Sequence, residues 1–478
     1  MNLDDHSKNI LDRVPVPEPA ASQRLYQLGL GAVLFLAAWF IFQSGGDLGV
    51  HTLSGIGILV LAALPALRWA KQRQTWFPAF ELFCLTCVPF YAVPLLTSHR
   101  DLDAFPGTVV GEAGFLILVF LGSASLGFSL LRNPIRPVRW ASQSLLPPDI
   151  YRQLPVGLLL NTIYIYVTAF TNIIPYEFSG ALRALFFGIG TLTTFVLAKL
   201  WGAGALNPRA RGFFILNLSV QIVFLFSQLY LITGISLLAL TLIAYTSARR
   251  RVPWIPVVAM LALLVVLHNG KSQMRAAYWE ADRRVHPGDL PAFFSEWLKR
   301  GLSHDEKADP DDKHTSLLER ASLIHMLCLS VDRVPELKPY LSGQSYIDIP
   351  AQVVPRFMWP NKPSSLLANV RLAIYFGLVD EISAMQVSIA FGMIAEAYVN
   401  FGGVGVAALG FGLGLLFRFF AMLSRDAPQF SAIGIFTILL TAWSFQAELV
   451  LATWLASLFQ ASVVCIGLPL LYRKLTHA

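Results

Sequence analysis

The sequence predicts an all-α polytopic membrane protein, with about twelve transmembrane helices and one large extracytoplasmic loop that contains short helices. Three observations carry that prediction. Apolar residues make up 55% of the 478 positions against 14% charged, and mean hydropathy is +0.59, so the solvent for most of this surface is lipid. The apolar residues also fall in runs of about 20, the length that crosses a bilayer as a helix. Finally, Lys and Arg cluster at every second connection between runs and are almost missing from the alternate ones, the asymmetry that orients a membrane protein.

The first element is a polar tail, 1–24, with the first span acting as signal anchor. Apolar runs follow at 25–43, 50–67, 76–97, 110–131, 154–174, 181–200, 212–229, 232–247 and 253–268. Basic groups mark the cytoplasmic connections: Arg13 and Arg24, then Arg68, Lys71 and Arg73, then Arg132, Arg136 and Arg139, then Lys199, Arg209 and Arg211, then Arg249, Arg250 and Arg251. The ninth run therefore exits at His268 on the far side. The long polar segment 269–385 is expected outside the cytoplasm, and a membrane-boundary helix at 386–401 follows it. Spans at 402–422, 430–447 and 454–472 return the chain to a cytoplasmic tail, 473–478, with Arg418, Arg425, Arg473 and Lys474 at inner ends. Both termini are then cytoplasmic. One long tilted span over 212–247 would invert the loop and leave those last four cations on the wrong side.

The net charge of +7 is spread over span ends and forms no single patch, which argues against nucleic acid as a partner. Cys84, Cys87 and Cys465 lie in apolar runs and Cys328 stands alone, so all four read as packing residues. The Cys84–Cys87 spacing has no second Cys or His pair to complete a metal site. Asp309 and Asp311 match a D-x-D metal motif only superficially, inside a charged stretch without apolar periodicity.

The candidate chemistry lies in and after the loop. Lys271 and Arg275 leave the ninth span close to the membrane face, where a cation anchors the interface or contacts phosphate. Ser316 and Glu319 form a capping-box pattern for a helix with Leu317, Ala321, Ile324, Cys328 and Val331 on its apolar stripe. Arg320 sits in its first turn, where a cation opposes the helix dipole and invites an anion. In Pro355-Arg356-Phe357-Met358-Trp359-Pro360-Asn361-Lys362-Pro363 the prolines stiffen the backbone, and Trp359–Lys362 reads as a β-turn. Arg356, Trp359 and Lys362 are expected to face one spot suited to an anion with an apolar or sugar-ring portion. Gly392, Glu396 and Asn400 recur every fourth residue on one helical face. Glu396, ionisable in apolar surroundings, is a candidate general base or a structural ion-pair partner. The glycines at 402, 403, 405, 410, 412 and 414 are read as close helix packing.

Taken in order, Arg320 at a helix start, Tyr340-Leu-Ser-Gly343-Gln-Ser-Tyr346, Pro355-Arg356-x-x-Trp359-Pro360-x-Lys362-Pro363 and Glu396-Ala-Tyr398-Val-Asn400-Phe401-Gly402 resemble the oligosaccharide repeat-unit polymerases of the Wzy type, which build O-antigen or exopolysaccharide. The likeness covers residues 316–415 and is only topological elsewhere; the repeated arginine-containing loop motifs of the better-known members do not lie over two separate loops here. The resemblance implies a GT-C-like membrane fold in the bacterial inner membrane. It also implies metal-independent glycosyl transfer, without a cofactor, from one polyprenyl-diphosphate-linked glycan to the next. Arg356, Arg275 and Glu396 would be catalytic, and Arg320, Trp359, Lys362, Lys271, Tyr398 and Asn400 would bind substrate. Membrane lipid, a chain-length regulator and a flippase are the further partners it raises. A ligase passing finished glycan to another acceptor, or a transporter of lipid-linked glycan, are the competing readings. No internal repeat in the two halves supports the transporter.

Overall fold

The computed structural model describes residues 19–477 apart from 45–48, 72–76, 98–99, 132–137, 147–149, 175, 281–282, 284, 304–321, 355–358, 360, 365–366, 381–388 and 426. Among the described residues the chain is helical throughout, with no β-strand. The helices are α1 Pro19–Gln43, α2 Val50–Lys71, α3 Ala79–Leu96, α4 Gly107–Leu130, α5 Ile150–Phe170, α6 Tyr176–Gly202, α7 Pro208–Ser227, α8 Leu231–Arg249 and α9 Trp254–Asn269. There follow α10 Lys271–Arg275, α11 Leu290–Leu302, α12 Ile324–Arg333, α13 Ile349–Val353, α14 Leu367–Tyr375, α15 Gly392–Leu423, α16 Ala432–Trp443, α17 Leu451–Ser462 and α18 Leu468–His477.

Every expected apolar run is a helix. Ten helical segments among the described residues are long and apolar enough to cross a membrane, the last being Leu451–Leu471 through a π-turn at Val463–Gly467. The expected ninth and eleventh spans are shorter: α9 has 16 residues and α16 only 12, because the chain leaves the helix at Ser444 and turns before Leu451. Large apolar side chains point outward along these helices, Phe42, Val404 and Ile255 among them, as in a membrane-embedded protein. The stretch 212–247 holds two helices and not one, since α7 and α8 are separated at Gln228–Tyr230 by Leu229 with φ +58°. All four cysteines are buried free thiols.

Two compact units form. Unit 1 is centred on Ser144–Arg320, and unit 2 on Glu18–Gln143 with Ala321–Val463. The segment expected as a single loop, 269–385, is thus divided: its first part packs within unit 1 and its second within unit 2.

In unit 1, α5 and α7 are clamped by buried amides and a hydroxyl. Asn161 Nδ2 donates to Gln221 Oε1 at 3.1 Å, Gln221 Nε2 donates to Thr162 Oγ1 at 2.8 Å, and Thr162 donates to Asn217 Oδ1 at 2.7 Å. In an apolar surround such bonds fix helix register, since slipping would leave each group unsatisfied. At one end of this unit Phe226, Leu229 and Leu231 share a core with Leu264, Leu267, Met274, Phe293 and Trp297. That cluster puts the α7–α8 turn and the end of α9 on one side, as the alternation of spans requires.

In unit 2 the closest pair is α4 with α15. A Cβ on Gly414 would stand 2.0 Å from the Ala124 carbonyl oxygen, so only glycine allows this approach. The small-residue reading holds at Gly410 and Gly414, while Gly412 faces open space. Arg418 near the end of α15 donates to the Leu131 carbonyl at 2.8 Å, lies over the Phe128 ring and is within electrostatic reach of Glu81. The ends of α4 and α15 and the start of α3 therefore share a side.

Two helix boundaries differ from expectation. Ile389–Phe391 are not helical and α15 begins at Gly392, whose φ of +75° ends any helix entering from before it; 386–388 lie outside the described residues. The boundary helix is also not separate from the tenth span, because α15 runs through both with a kink at Phe401 (φ −142°, ψ 15°) and Gly402 (φ 61°, ψ −153°). The capping pair Ser316 and Glu319, Arg320, and Asp309 with Asp311 lie outside the described residues; from Ile324 onward the expected stripe of Ile324, Cys328 and Val331 is buried.

Candidate functional site

The kink in α15 organises the site in unit 2. A broken helix frees carbonyls that need donors, and here the following loop supplies them. Leu341 N–H donates to the Val399 carbonyl at 3.0 Å and Ser342 N–H to the Asn400 carbonyl at 3.2 Å. Asn400 completes the clasp: its Oδ1 accepts from Gly343 N–H at 2.9 Å, and its Nδ2 donates to Ser345 Oγ and to the Glu396 carbonyl, both at 2.8 Å. Ser342 and Gly343 adopt left-handed backbone, φ +47° and +92°, which aims their amides inward. Tyr346 stacks on Phe401 with ring centroids 6.2 Å apart, and Tyr398 Oη donates to the Val334 carbonyl at 3.2 Å. Tyr340-to-Tyr346 and Glu396-to-Gly402, both singled out in the sequence, are thus one assembly.

Glu396 is fully buried. Its Oε2 accepts from the Leu451 N–H at 2.7 Å, at the first turn of α17, and the Ser345 hydroxyl bonds the same carboxyl. Its Oε1 has no hydrogen-bond partner among the described residues. Gly392, Glu396 and Asn400 are buried in α15, and so is every residue between them, so burial does not single out the expected polar stripe. The carboxyl is held by an amide and a hydroxyl, and no arginine is among the partners seen.

The Pro-rich stretch is described in part. Lys362 N–H donates to the Trp359 carbonyl at 3.1 Å, which closes the expected β-turn, and the Trp359 side chain is 44% exposed. Lys362 corrects the expectation of a ligand-facing cation. It is 8% exposed, and its Nζ donates back to the Val354 carbonyl at 2.8 Å, because a buried ammonium in this loop satisfies the backbone that proline cannot. Arg356 lies outside the described residues. The loop emerges from α13, which packs on α17, the helix whose first amide Glu396 holds. Around it Arg371 bridges Asp348 at 2.6 Å and donates to the Gln344 carbonyl, while Lys338 donates to the Tyr375 carbonyl over that ring.

Lys271 and Arg275 belong to unit 1. Arg275 Nη2 donates to the Leu229 carbonyl at 3.1 Å and its guanidinium lies 5.6 Å from the Tyr230 ring centroid, so it fastens the α7–α8 turn.

Two residues escaped the sequence reading. Tyr91 is buried in a π-turn of α3, Val88–Ala92, with its hydroxyl 3.2 Å from where a Cβ on Gly392 would be. The neighbouring Phe90 carbonyl accepts from Leu323 N–H at 3.0 Å. Glu448, between α16 and α17, has a buried Oε2 with no hydrogen-bond partner among the described residues, and burial pushes its carboxyl up to about 7 against the pull of its own backbone amide. It acts electrostatically on Tyr91. Its signal was present in the sequence: Glu448 is the one charged residue from Ala427 to Tyr472. Nothing local marks Tyr91.

A protein-family model described as a domain of unknown function, DUF8712, matches residues 157–446. The chain belongs to the DUF8712 family. The DUF8712 match contains Lys271, Arg275, Arg320, Arg356, Trp359, Lys362, Glu396, Tyr398 and Asn400, and stops two residues before Glu448. No curated protein and no solved structure matches the chain.

Proposed function

We propose that this membrane protein polymerises polyprenyl-diphosphate-linked oligosaccharide repeat units by glycosyl transfer at the extracytoplasmic membrane face. The observation that carries the reading is the convergence on α17: Glu396 holds its first amide, and α13, which leads into the Pro-rich loop, packs along it. Glu396 and the helix that leads into the Pro-rich string thereby share one support.

In the proposed step an acceptor sugar hydroxyl attacks the anomeric carbon of the growing glycan. The anomeric C–O bond to the diphosphate breaks, its electron pair leaves with polyprenyl diphosphate, and the hydroxyl proton passes to Glu396. Arg356 meets the charge that develops on the leaving diphosphate, where a fixed cation stabilises the transition state most. Trp359 offers an exposed ring for a sugar face. Asn400 and Lys362 are positioning residues: the first docks the Tyr340–Tyr346 loop, the second ties the Trp359–Lys362 turn back to Val354. The proposal uses residues of unit 2 alone.

The test is purified protein in lipid supplied with a lipid-linked repeat unit. Longer glycan on the lipid supports the polymerase; glycan moved to another acceptor, or carried across the bilayer without new bonds, replaces it with the ligase or the transporter. Arg356→Ala and Arg356→Lys should each abolish polymer in cells while the protein still inserts. Normal polymer from either removes Arg356 from the mechanism.

A further inference from the structure

We propose that α11 lies in the lipid headgroup layer as an interfacial helix, with Leu298 and Leu302 inserted at the acyl boundary and Lys299 on the phosphates. The sequence LPAFFSEWLKRGL buries Phe293, Trp297 and Gly301, one residue per turn, and leaves Leu298, Lys299 and Leu302 exposed on its other side. A soluble helix would place polar groups where those two leucines stand.

The inner face is fixed to the end of a membrane helix. Trp297 Nε1 donates to the Leu267 carbonyl at 2.6 Å, and a Cβ on Gly301 would lie 2.0 Å from the Val266 carbonyl oxygen. Both acceptors are near the end of α9, whose 16 residues rise about 24 Å, so this end reaches the edge of a hydrocarbon layer about 30 Å thick. The outward face of α9 is apolar, with Val258, Leu261 and Val265 about half exposed or more. Leu302, next to Gly301, continues that lipid-facing surface onto α11.

Charge selects the occupant further. Glu296 is engaged by Arg300 at 2.6 Å and by the Tyr278 hydroxyl at 3.0 Å, and Lys271, Arg275 and Lys299 add further cations around α10 and α11, so positive charge prevails there. Tyr230 and Tyr278 lie against Arg275 and Arg283, an aromatic and basic rim of the kind that sits at headgroup level. A bilayer bearing anionic phospholipid satisfies both the leucines and the cations.

The four native thiols are buried, so single cysteines at 298, 302 and 289 can be nitroxide-labelled in the full chain. In vesicles of phosphatidylcholine with phosphatidylglycerol, Leu298→Cys and Leu302→Cys labels should be severalfold more accessible to oxygen, relative to a water-soluble nickel chelate, than the label at Asp289→Cys. Chelate access equal to that at 289 overturns the proposal in favour of a solvated helix. Protection from both relaxants also overturns it, in favour of a protein cover.

Discussion

The Glu396 carboxylate accepts the Leu451 amide proton at 2.7 Å across 55 residues of sequence. One side chain therefore ties the broken helix α15 to the start of α17, and its two possible roles, holding α17 and accepting a proton, make different demands. Glu396→Gln keeps an acceptor for Leu451 and should preserve the melting temperature in detergent while polymer formation is lost. Glu396→Ala orphans the amide and should cost about 1–3 kcal/mol. Full polymerisation by the glutamine variant would make Glu396 purely structural.

Asn400 makes two hydrogen bonds to the Tyr340–Tyr346 loop, with Gly343 N–H and Ser345 Oγ, and a third to the Glu396 carbonyl of its own helix. Asn400→Ala should release that loop without unfolding α15. Amide hydrogen exchange at Leu341, Ser342 and Gly343 is then expected to rise at least tenfold, about 1.4 kcal/mol of local opening. Unchanged exchange would place the docking in the backbone bonds alone.

Gly414 and Gly412 form an internal control on helix packing. The Ala124 carbonyl leaves no room for a Cβ at Gly414, so Gly414→Ala must spread α4 from α15, at a cost of about 1–3 kcal/mol. Gly412→Ala meets nothing within 4 Å and should be neutral or slightly stabilising, by up to about 1 kcal/mol. Thermal unfolding of the two variants in one detergent decides it.

Glu448 gives the fold a pH dependence. Its folded-state value of about 7 lies above the ordinary carboxylate value of about 4.3, so its contribution is fully present below that lower value and is lost as pH rises through 7. Stability should fall between about pH 4 and 7 in the native chain, and Glu448→Gln should flatten that slope. Parallel slopes in the two proteins would show that Glu448 is exposed to water.

Lys362 and Arg356 share a loop but should separate by assay. Lys362→Ala removes the bond to the Val354 carbonyl, costing about 1–2 kcal/mol and raising quenching of Trp359 fluorescence by acrylamide. Arg356→Ala should leave both unchanged.

Apolar run length determined the helices and their approximate ends, because lipid rewards each span locally and needs no tertiary partner. The four-residue spacing of Gly392, Glu396 and Asn400 likewise determined a shared helical face. Tertiary structure decided the rest. Lys362 turned inward because a carbonyl eight residues away needed a donor. The kink at Phe401–Gly402 formed where the amides of Leu341 and Ser342 could take the freed carbonyls, and the π-turn at Tyr91 offered the Phe90 carbonyl to Leu323. The backbone partners at the kink and the π-turn lie 58 to 233 residues apart in the sequence. Sequence periodicity reports neighbours three or four positions away, and hydrogen bonds between distant backbone groups leave no mark in it.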